Sequence, residues 1–70
     1  MIEFEELLID MGKYGIPTLM MYSGEWSCTN ELNNKIEGAN LEIRTDDFNT
    51  PSEAVKQCHE RTMKAIKVLP

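Results

Sequence analysis

Seventy residues, 41% hydrophobic and 27% charged, make one small domain, and folding at that size buries only roughly 60% of the surface an unfolded chain exposes. So thin a core argues against a deep substrate pocket, and with it against a self-contained enzyme, while no apolar run approaches the roughly 18 residues that cross a bilayer. The net charge of −5 is uneven: residues 1–50 carry ten acidic and three basic side chains and residues 51–70 two and four, which opposes affinity for a polyanion and suits a partner with a basic surface.

Phe4, Leu7, Leu8 and Met11 recur at helical spacing, with Glu3, Glu5, Glu6 and Asp10 on the remaining face, so residues 2–11 are expected to form a short amphipathic helix. Its early acidic residues suit the positive end of the helix dipole, and Gly12 is expected to end it in a left-handed conformation. The acidic amino terminus lacks the basic start and small-residue cleavage site of a secretory signal, so a cytoplasmic protein is expected. Gly15 and Pro17 are expected in the turn that follows.

Thr18 to Tyr22 has strand composition with two apolar faces, Leu19 and Met21 on one and Met20 and Tyr22 on the other. One side packs on the helices, and the other is either covered by a second chain or left as scattered surface hydrophobes, so a homo-oligomer is expected. Ser23-Gly24 makes a hairpin turn into a second strand, Glu25 to Leu32, with Trp26, Cys28 and Leu32 on one side and Ser27, Thr29 and Glu31 on the other. Asn33, Asn34, Gly38 and Asn40 bracket a longer loop. Leu41, Ile43 and Thr45 then alternate with Glu42 and Arg44 in a third strand.

Thr50-Pro51-Ser52-Glu53 marks the start of the last helix more firmly than any other segment marks anything. Thr50 stands at the N-cap, Pro51 takes the first helical position, where its missing N–H is harmless, and Glu53 reaches back toward the Thr50 amide. Ala54, Val55, Cys58, Thr62, Ala65, Ile66 and Leu69 share one side of that helix, and Lys56, Glu60, Arg61, Lys64 and Lys67 fall opposite. The whole is an α+β domain spanning 1–70 in the order α-β-β-β-α. Its short connections permit an antiparallel three-stranded meander with both helices on one face.

The chemistry-bearing residues do not combine into a reactive centre. Asp46-Asp47 with Glu42 lacks the spacing of a calcium loop, and Cys58-His59 with Cys28 falls short of the four ligands of structural zinc, so neither a metal nor another cofactor is expected. Neighbours in a helix point about 100° apart, so His59 does not activate Cys58. The two cysteines lie on apolar sides of their elements and are expected to be reduced core thiols. Glycines occur singly, without a phosphate-cradling loop. Trp26, Tyr22 and Arg44 are the side chains best suited to recognition, with Lys56 and Arg61 of the basic helix face as further contacts. Trp26, in alternation with Cys28, also fits the core.

The α-β-β-β-α order resembles the double-stranded RNA-binding domain, a family in which a terminal helix brings lysines to phosphate. At the corresponding helix start this chain has Pro51, Ser52 and Glu53, with Lys56 nearby. Gly24-x-Trp26-x-Cys28, followed by Thr50-Pro51-x-x-Ala54-Val55 and Arg61, resembles small bacteriophage and prophage proteins. That resemblance implies a compact viral accessory protein in the host cytoplasm that binds and blocks a host component.

The expectation is thus a non-enzymatic binding protein that sequesters a host factor with a basic surface, such as an antiviral defence component. The first alternative is a homo-oligomer holding a small anionic ligand, such as a signalling nucleotide, at a subunit junction lined by Arg44, Tyr22 and the basic helix face. The second is a structural or assembly module.

Overall fold

A computed structural model describes residues 4–36 and 39–68 of the chain, and it has the expected α+β architecture. The elements run α1 (Phe4–Met11), β1 (Gly15–Tyr22), β2 (Glu25–Ile36), β3 (Ala39–Arg44) and α2 (Pro51–Val68). The expected helix start at Ile2 and Glu3, the loop residue Gly38 and the stripe residue Leu69 lie outside the described residues.

The strands form one antiparallel sheet in the order β1-β2-β3, so β1 and β3 are its edges. Helix α2 packs across β2 and β3, and α1 packs on α2 and the start of β1. Met11, Cys28, Ala54, Val55 and Cys58 are fully buried between these layers, with Phe4, Leu7, Leu8, Leu19, Trp26, Ile43 and Phe48 packed around them. The helical stripe of α2 thereby meets the alternating inner side of β2, which is the burial that holds so small a domain together.

The α2 cap forms from the expected residues with a different hydrogen bond. The Glu53 amide donates to Thr50 Oγ1 at 3.3 Å, and the Thr50 hydroxyl donates to Glu53 Oε1 at 2.9 Å. The Glu53 carboxylate therefore engages the capping hydroxyl in place of the Thr50 amide.

Several element ends differ from the sequence expectation. Gly12 does not adopt the left-handed conformation; the amides of Gly12, Lys13 and Tyr14 turn back on the carbonyls of Leu8, Asp10 and Met11, which closes α1 with tightened turns. Among the described residues only Ser23 and Gly24 have positive φ, 54° and 81°, and they form the β1–β2 hairpin turn whose twist matches its strands. Gly15 and Pro17 belong to β1 and not to a turn, because the Pro17 nitrogen faces the free edge, where no ladder hydrogen bond is lost. Finally, β2 continues past Leu32 to Ile36, with a register shift between Glu31 and Lys35, and β3 starts at Ala39, before Leu41, and ends at Arg44 without Thr45, so Asn33, Asn34 and Asn40 lie in paired strands and not in a longer loop.

Candidate interaction surface

Strand pairing fixes which side chains share a face. Leu19 stands opposite Cys28, and Met21 opposite Trp26, on the helix side; Ile16 opposite Glu31, Thr18 opposite Thr29, Met20 opposite Ser27, and Tyr22 opposite Glu25 stand on the outer side. From β3, Glu42 and Arg44 join that outer side through their pairing with Glu31 and Thr29. The outer face is therefore an apolar row along β1, with Ile16 63%, Met20 43% and Tyr22 85% exposed, bordered by the carboxylates of Glu25, Glu31 and Glu42. Neither helix covers it.

The residues singled out from the sequence are dispersed over the molecule. Tyr22 projects at the hairpin end of the outer face, while Arg44 lies on the same face two strands away and four pairing positions along, roughly 13 Å down the strands and about 10 Å across them. Arg44 Nε pairs with Glu42 Oε1 at 3.1 Å. Trp26 points the other way, half-buried against the core, and its backbone exchanges hydrogen bonds with Phe48, tying the β3–α2 connection to β2. Lys56 is exposed on α2. Arg61 reaches from α2 to the edge of β3, where Nη1 donates to the Arg44 carbonyl at 2.7 Å and Nη2 lies 3.5 Å from Asp46 Oδ2. One chain thus joins Arg61 to the Arg44 backbone but does not gather Tyr22, Arg44 and Lys56 around one ligand.

Other polar groups are committed to structure. The Asp46 amide donates to Gln57 Oε1 at 2.9 Å, so Gln57 and Arg61 secure the turn that contained the acidic pair. His59 Nε2 lies 2.7 Å from Asp10 Oδ2, clamping α2 to α1, and this hydrogen bond first, then Lys13, holds the Asp10 carboxyl below its ordinary value. Cys28 and Cys58 are free and buried together; the hydrogen bond with Cys58, reinforced by burial, pushes the Cys28 thiol up and keeps it protonated. Among the described residues no group of three His, Cys, Asp or Glu is arranged to hold a metal ion. No helix is long and apolar enough to cross a membrane.

Sequence reasoning passed over Asn30, which lies in the inward series of β2 and is fully buried. Its Nδ2 donates to Thr62 Oγ1 at 3.3 Å, and the Thr62 hydroxyl in turn approaches Met11 Sδ at 3.7 Å, while Asn30 Oδ1 has no partner. The alternation of Trp26, Cys28 and Leu32 already placed position 30 inside; its polarity concealed it.

In comparisons with known proteins, no family model, no curated protein and no solved structure matches this chain.

Proposed function

We propose that this is a non-enzymatic binding protein that occupies another protein through the outer face of its sheet, blocking or sequestering it as the phage-accessory resemblance implies. The observation that carries this reading is the uncovered row of Ile16, Met20 and Tyr22 on an otherwise hydrophilic acidic face. Aromatic and aliphatic anchors set among charged groups supply binding energy at their centre and electrostatic selection at their rim. Glu25, Glu31 and Glu42 outnumber Arg44 on this face, so its net charge favours a basic partner surface, and the opposite charge of the α2 surface leaves that side poorly suited to the same partner.

The test is affinity capture from bacterial lysate with the full chain and two surface variants. The I16D/Y22D variant is expected to lose the captured protein, and the K56E/K64E variant to retain it. Retention should also weaken as salt rises, since rim charges are screened. Loss of capture with the helix variant but not with the sheet variant would overturn the assignment.

A further inference from the structure

The two edges of the sheet are unlike. On β3, Glu42 and Arg44 bring charge, Arg61 occupies the Arg44 carbonyl, and the pairing with β2 shifts register. Such devices blunt an edge against further pairing. Strand β1 pairs in unbroken register over Gly15–Tyr22 and carries no charged side chain, in a chain of net charge −5.

The direction of its backbone groups follows from the bonds on β2. The Trp26 and Cys28 backbones bond toward the β3 side, to Phe48 and Thr45, whereas the Asn33 amide bonds to the Tyr14 carbonyl on the β1 side. By the alternation of an antiparallel ladder, Ile16, Thr18, Met20 and Tyr22 bond to β2, and Gly15, Pro17, Leu19 and Met21 turn their backbone groups to the free edge. Pro17 offers only a carbonyl there. Leu19 and Met21 each offer an N–H and a carbonyl, two residues apart.

We infer that β1 pairs antiparallel with β1 of a second copy of this chain, with Leu19 opposite Met21 of the other copy and the two-fold axis passing beside Met20. In that register each Leu19–Met21 pair exchanges a complete reciprocal set of N–H to carbonyl bonds. The neighbouring register, Leu19 on Leu19, sets Pro17 opposite Met21 and leaves a Met21 carbonyl without a donor. Uncharged strands allow two acidic chains to meet without repulsion at the seam. Met21, 59% exposed in one chain, packs against Leu19 of the other on the helix side, and Met20 meets Met20 on the outer side. The product is a six-stranded sheet from two three-stranded ones, and its outer face joins both apolar rows. Arg44 then lies on the distant β3 strands, so this junction does not build the pocket for an anionic ligand expected from the sequence.

The pairing rests on the strand edge and not on the partner-binding reading, although a joined outer face enlarges the surface that reading uses. Sedimentation of the full chain over a wide concentration range should show a monomer–dimer equilibrium. Met21→Pro removes an edge-facing N–H and the side chain that packs on Leu19 of the other copy, but no bond of the β1–β2 ladder; it should retain its circular dichroism spectrum and weaken dimerisation by at least about 10- to 100-fold, since each of two symmetric hydrogen bonds is lost. Met20→Lys and Met20→Glu should each be monomeric by charge repulsion at the axis, and their mixture should dimerise again. A chain that stays monomeric throughout, a dimer indifferent to M21P, or a failure of the M20K and M20E mixture to associate would each overturn the inference. A monomer that still captures a partner through Tyr22 would leave the preceding reading intact, and a dimer that captures nothing would separate the two in the other sense.

Discussion

Alanine at Gly15 is expected to be the most damaging small change in the protein, although it adds one methyl group to a strand. A Cβ built there lies 2.3 Å from the Glu31 carbonyl oxygen, 2.8 Å from its carbon and 2.7 Å from Asn30 Oδ1, and contacts under 3.0 Å require movement. The nearest atom must retreat by at least 0.7 Å, the difference between 3.0 and 2.3 Å. Glu31 contributes backbone and Asn30 is buried and bonded to Thr62, so the displacement falls on the β1–β2 ladder itself. Overpacking of this kind costs typically 1–3 kcal/mol, and a backbone clash belongs at about 3 kcal/mol, a large part of the few kcal/mol that stabilise a domain of this length. The other glycines calibrate the argument. At Gly24 there is open space but a φ of 81°, so alanine there costs about 1 kcal/mol from conformation alone; at Gly12 the nearest atom is 3.3 Å away, and alanine falls within about 0.5 kcal/mol of the native chain. Urea unfolding followed by Trp26 fluorescence gives the ranking. A G15A midpoint equal to the native one, or G24A as the worst of the three, would show that the Glu31 carbonyl does not limit the space at Gly15. Asn30→Ala in the G15A background should not restore stability, because the carbonyl contact remains.

Thr50→Ala removes the acceptor of the Glu53 amide at the start of α2 and should cost about 1 kcal/mol in the same assay, with the change confined to stability. Thr62→Val strands the Asn30 amide in the core and should cost about 1–3 kcal/mol, most of which returns when Asn30→Leu is added, because an apolar pair leaves no buried donor behind. Acid should expose the Asp10 clamp: a carboxyl lowered in the folded state contributes stability that is present above about pH 4 and lost as pH falls through its folded value. Asp10→Asn should therefore destabilise the protein above about pH 4, and its difference from the native chain should shrink as pH falls below that. A pH-independent difference would assign its effect to something other than ionisation.

The sequence carried the element order because each signal was local. The Thr50-Pro51 cap, the Ser23-Gly24 turn and the helical spacing of Phe4, Leu7, Leu8 and Met11 all act within a few residues, and each is found in place. It also showed that β1 has two apolar faces, the origin of the candidate surface. Strand ends were less legible, since Gly15 and Pro17 read as turn residues and their fitness for an edge depends on which strand lies beside them.

Two kinds of fact came only from the tertiary structure. Pairings between distant residues, Asp10 with His59, Asn30 with Thr62 and Arg61 with the Arg44 carbonyl, follow from how helices and sheet are stacked, and residue types leave those choices open. The second is the contrast between a blunted β3 and an open β1, which exists only once strand order leaves both at the margins. Local backbone preference and hydrophobic period act within one element and so survive in the linear chain. Which hydrogen-bonding groups remain unpaired is settled by the sum of all neighbours, and that sum is written only in three dimensions.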